Sequence, residues 1–166
     1  MKFLKKLFYT PQQYHLFLML CLTTLFDFAL LALRFWKINF DFSSVDSLKE
    51  LFVVERGVTF LFLVLNLFLA WIPYWISMTF KTIDTKTNSK LLLGFVFCCW
   101  LLFFPNAPYI ITDLIHIKHR PPLPIWYDTL LIFSFAWTGL MLGFASLMTV
   151  QTMLKKYLSP WTAGAI

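Results

Sequence analysis

Residues 100–128 read WLLFFPNAPYIITDLIHIKHRPPLPIWYD, and the fold turns on how that stretch is read. The apolar residues before it, 91–104, would make a helix of only about 21 Å, short of the roughly 30 Å of hydrocarbon in a bilayer. They run into Pro105-Asn106-Ala107-Pro108. Each proline lacks a backbone N–H and strands a carbonyl one turn upstream. Asn106 is a residue type that N-caps a fresh helix, and Pro108 would then sit in its first turn. The spacing therefore predicts a third membrane span, residues 91–111, that is short or broken at the Pro-Asn-Ala-Pro turn. A second short half, residues 109–117, is stopped by Pro121, Pro122 and Pro124.

Working outward, the chain is 60% hydrophobic, 20% aromatic and 13% charged. An ordinary soluble domain carries roughly a quarter charged residues, so this composition describes a chain whose surface faces lipid. None of the apolar stretches alternates as the strands of a membrane barrel do. Residues 14–34, 58–80 and 127–150 read as three further spans, which makes the fold all-α, an integral membrane helical bundle of about four transmembrane helices. The longest polar stretch, residues 34–57, is too short to bury a core of its own, so residues 1–166 read as one multi-pass domain. Pro73, between Trp71 and Trp75, predicts a kink near an aromatic belt. Lys2, Lys5 and Lys6 among Phe3, Leu4, Leu7 and Phe8 suit a headgroup surface, and Leu48 to Phe52 reads as a short surface helix.

The formal charge of +6 would suggest a nucleic-acid partner in a soluble protein, but these cations flank apolar spans. They read as topology signals; the partner is the lipid bilayer, with no nucleic acid. Eight of the 14 lysines and arginines lie in the N-terminal segment, the second loop and the C-terminal segment. The positive-inside rule then places both termini in the cytoplasm of a cell membrane and the 100–128 stretch near the outer face. Cys21, Cys98 and Cys99 lie in apolar segments without metal-ligand spacing, and no cofactor is implied.

Counting about 1.5 Å per residue from the outer boundaries, Asp27, Asn66 and Ser134 fall roughly 10–12 Å deep, near the break in the third span. A carboxylate in a span costs about 2.5–3.5 kcal/mol on insertion scales, so Asp27 should face protein or water. One reading is a small polar cavity near the outer face, formed by Asp27, Asn66, Asn106, Tyr109, Asp113 and Asp128, in a transport-like or binding component. A structural reading has Asp27 paired with Arg34, two turns away on one face, or bonded to Asn66. A third possibility is a metal-dependent membrane enzyme using Asp113, His116 and His119, although His119 lies about 120° around a regular helix from Asp113. No nucleophile elbow or Gly-rich phosphate loop accompanies them. Gly139 and Gly143 form a G-x-x-x-G that suits either internal packing or a helix–helix partner.

Residues 68–75 (FLAWIPYW), 100–116, 120–128 (RPPLPIWYD) and 134–144 (SFAWTGLMLGF) together resemble the bacterial predicted membrane protein family known as domain of unknown function 1361. The resemblance runs from about Asn66 onward and rests most on P-N-A-P-Y-x-x-T-D-L-x-H. It implies a multi-span membrane protein and carries no activity, substrate or catalytic residue with it. It also implies further C-terminal helices, which would make this chain a shortened member or a fragment.

Overall fold

The computed structural model describes residues 11–37, 60–86, 89–116 and 123–157. They form α1 (Pro11–Lys37), α2 (Leu61–Lys86), α3 (Lys90–Phe103), α4 (Asn106–Tyr109), a 3-10 segment (Ile110–His116) and α5 (Ile125–Tyr157). Among them are four stretches long and apolar enough to cross a bilayer, namely Pro11–Lys37, Leu61–Phe80, Lys90–Ile115 and Ile125–Lys155. The protein is an all-α integral membrane bundle. The basic segment before Pro11 and the surface helix expected at Leu48 to Phe52 lie outside the described residues.

Pro11 is the first helical residue of α1, a position where its missing N–H is no loss. α2 begins after Phe60, a buried residue with φ of 50°. That left-handed backbone costs an L residue about 1–2 kcal/mol. It lets the Phe60 carbonyl accept the Leu63 N–H at 3.0 Å while the ring lies 4.5 Å beneath the Arg34 guanidinium. α2 then continues through Pro73 to Lys86 as one helix.

The third span is interrupted at Pro105, but the chain tightens there and does not reset. Phe104 (φ −54°, ψ −40°) and Pro105 (φ −60°, ψ −21°) both keep right-handed helical backbone. The expectation that Asn106 caps a new helix is corrected: Pro105 holds that position without a side-chain cap, and Asn106 Nδ2 donates to the Phe103 carbonyl at 2.9 Å. Two prolines leave the turn short of donors, and an amide can supply one. The Ala107 N–H reaches the Phe104 carbonyl and the Tyr109 N–H the Pro105 carbonyl, each at 3.1 Å. Beyond Tyr109 the 3-10 segment rises about 2 Å per residue instead of 1.5 Å, which stretches an otherwise short span toward full width.

α5 is the axis of the bundle, packed by α1, α2, α4 and the 3-10 segment. A Cβ at Gly139 would collide with Ile110 Cγ2 and lie 3.2 Å from the Ala107 carbonyl oxygen; one at Gly143 would lie 3.2 Å from the Ala107 Cβ. The glycine pair thus seats the broken span of its own chain, and residues 107–110 occupy the face that a partner helix would need. Gln12 and Gln13 of α1 share a groove with Gln151 and Lys155 of α5, so Pro11 and Tyr157 lie at one end of the bundle. Arg34 and Asp128 mark the other.

Candidate functional site

Among the described residues three acids lie buried between helices, and each meets a different chemistry. Asp128, in the first turn of α5, accepts two bonds from Arg34 in the last turn of α1: Nε to Oδ1 at 2.9 Å and Nη2 to Oδ2 at 3.3 Å. Their side chains are 2% and 0% exposed. The carboxylate sits at the positive end of one helix dipole and the guanidinium at the negative end of the other, so both helices favour the charges they carry. Beside the pair, the Tyr127 hydroxyl donates to the Leu30 carbonyl at 2.6 Å, a second tie between α5 and α1.

Asp113 comes from the 3-10 segment and is buried. Its Oδ2 accepts from Asn66 Nδ2 of α2 at 2.7 Å, which joins the far end of the broken span to the second turn of its neighbour. Asp27, about two turns below Arg34 on α1, is wholly buried. Its Oδ1 accepts the Ser134 hydroxyl of α5, and Thr138, one turn further along, stands beside the same carboxyl group. Asp27 Oδ2 is buried with no hydrogen-bond partner among the described residues.

The residues singled out from the sequence therefore fall into pairs. Asn66 meets Asp113, and Asp27 meets Ser134, the residue read at its own depth. The local pairing of Asp27 with Arg34 is corrected, because Asp128 offers the guanidinium both carboxylate oxygens across the α1–α5 seam while Asp27 faces hydroxyls. The alternative bond from Asp27 to Asn66 is likewise replaced by the one to Asp113. Asp128, expected in a cavity wall, is half of an ion pair. Asn106 serves the Phe103 carbonyl, and Tyr109 is 61% exposed, away from the buried acids.

His119 and the side chain of His116 lie outside the described residues. Among the described residues no group of three or more histidines, cysteines, aspartates or glutamates is arranged to hold a metal ion. The sequence pattern does not reveal the burial of Arg34, which flanks an apolar span like the other cations. Its spacing of seven from Asp27 placed it on a helix face that had to be sheltered, and that was the available signal. Two indole donors were missed as well: Trp71 Nε1 to Thr24 Oγ1 at 3.3 Å, and Trp100 Nε1 to Ser146 Oγ at 3.4 Å. Both satisfy an N–H that hydrocarbon would leave bare.

Four apolar spans with their acids gathered between helices define a multi-pass integral membrane protein. The family described as a protein of unknown function, DUF1361, matches residues 65–165, and the chain belongs to it. No curated protein and no solved structure matches. The matched residues include most of α2, the whole broken span and α5, so the Asn66–Asp113 contact and the glycine seat lie within the family region.

Proposed function

We propose that this protein is a transport-like or solute-binding membrane component with a small polar site in the Arg34 half of the bundle, opening toward the outer face. Asn66 and Asp113 would line it, with Asp27 enclosed in the α1–α5 seam and Asp128 and Arg34 above; Asn106, next to the Ala107 that packs against Gly143 beyond the middle of α5, lies too deep for it. Tyr109, exposed on the broken span, is left out. The observation that carries this reading is the contact between Asn66 and Asp113. It sets a carboxylate from the 3-10 segment, beyond the proline turn that interrupts the span, against a second span. At membrane depth such backbone is tolerated where protein buries it or where it lines a watery cavity, and discontinuous helices of this kind hold substrate and ion sites in transporters.

The test is water access. In a chain with Cys21, Cys98 and Cys99 replaced by serine, Asp113→Cys should react with a membrane-impermeant methanethiosulfonate added to the outside of intact cells. Leu102→Cys, at a position 75% exposed on the apolar flank of α3, should stay unlabelled. An unreactive Asp113→Cys in folded protein would leave a helix-packing subunit with a dry interior and end the solute-site reading.

A further inference from the structure

We infer that Asp27 is a reversible proton-binding site set in the seam between α1 and α5, with the Ser134 hydroxyl on one carboxyl oxygen and the Thr138 hydroxyl one turn further along α5 to serve the other. This deepens the reading above, since a water-reached polar site would supply the proton's route.

The first ground is the unpartnered oxygen. Asp27 is 0% exposed, Ser134 occupies Oδ1, and Oδ2 is enclosed without a hydrogen-bond partner among the described residues. A buried polar orphan in a membrane span is costly enough to need a reason. The second ground is the chemistry facing it. A guanidinium only donates, as at Asp128, and the amide nitrogen of Asn66 only donates to Asp113. Those contacts suit a carboxylate. A hydroxyl both donates and accepts and can rotate between the two, so Ser134 and Thr138 serve a carboxylate and a carboxylic acid equally well.

The third ground is size. Leu30, Leu131 and Phe135 beside these positions are buried among the apolar side chains of the core. A metal cation needs space and several oxygen ligands. A proton needs neither. Among the described residues, the charged and titratable side chains packed around this seam are committed elsewhere. Arg34 of α1 and Asp128 of α5 hold each other, Tyr127 of α5 bonds the Leu30 carbonyl, and Asp113 of the 3-10 segment is met by Asn66 of α2.

The step is simple: a proton from water adds to Oδ2, giving a neutral carboxylic acid that donates to Thr138 Oγ1 while Ser134 continues to donate to Oδ1. Release returns the proton to water and lets the Thr138 hydroxyl turn to donate. No bond between heavy atoms changes and no co-reactant is consumed.

Difference infrared spectroscopy of the purified protein in lipid nanodiscs, stepped between about pH 5 and pH 9, reads this directly. The wild type should show a pH-dependent carboxylic C=O stretch that Asp27→Asn abolishes. Ser134→Ala and Thr138→Val keep the acid and should each move the band, which preserves the test if Asp27→Asn fails to fold. A band unchanged in Asp27→Asn, no titrating band in the wild type, or a band lost on adding sodium at constant pH overturns the inference. The two readings separate cleanly. A labelled Asp113→Cys with no Asp27 band leaves the solute site and removes the proton site. A titrating band with Asp113→Cys unlabelled does the reverse.

Discussion

Asp128 and Asp27 both bridge α1 and α5, both are wholly buried, and they are held in opposite ways. Asp128 is clasped by a two-point guanidinium at the end of the bundle where both helix dipoles assist. Asp27, about two turns deeper, has hydroxyls for company and one oxygen without a partner among the described residues. One contact fixes a charge and locks two helix ends together. The other leaves a protonation state open. A membrane bundle can therefore place acids at similar burial and give them different work by choosing a donor-only partner or an ambivalent one.

The largest effect should come from breaking the clasp on one side. Arg34→Met leaves the Asp128 carboxylate buried and alone, and unfolding in mixed micelles should register a loss of about 3–5 kcal/mol. Adding Asp128→Leu should recover most of it; a double variant as unstable as the single one would mean the pair is more than a matched charge. Next, Gly139→Ala separates steric closeness from charge. Its Cβ meets the β-branched Ile110, so a loss of about 1–3 kcal/mol, insensitive to salt, is expected. Combining it with Ile110→Ala should cost less than the sum of the two single changes, because each relieves the other.

The deeper acid should respond weakly by comparison. Asp27→Asn keeps shape and can still accept from Ser134, so its effect on stability should stay within about 1 kcal/mol. A loss as large as that of Arg34→Met would erase the contrast between the two sites. Smallest of all should be the coupling between them: Asp27→Asn and Arg34→Met together should add within about 0.5 kcal/mol. A larger coupling would join the clasp and the proton site into one network.

Much of this architecture is readable from local pattern. Apolar run length places four spans, and Pro105 with Pro108 marks the break in the third. The depth of Asp27 brings it level with Ser134, which is indeed its partner. Partner choice is less readable. Arg34 had an acid seven residues away on its own helix and took one 94 residues away instead, because the distant carboxylate could present both oxygens to the guanidinium. Asn106 matched a helix-cap pattern, yet the neighbouring prolines created a demand for donors that the pattern does not weigh.

Hydrocarbon is indifferent to sequence detail, so length, apolarity and the positions of imino acids are enough to state that this chain crosses a membrane as helices and falters at Pro105. Which buried acid is neutralised, which is tethered by an amide and which is left with a free oxygen depends on how α5 is turned against α1, α2 and the broken span. That rotation is set by the close seat of Ala107 and Ile110 on Gly139 and Gly143, a fit of surfaces about thirty residues apart in the chain that no local pattern encodes.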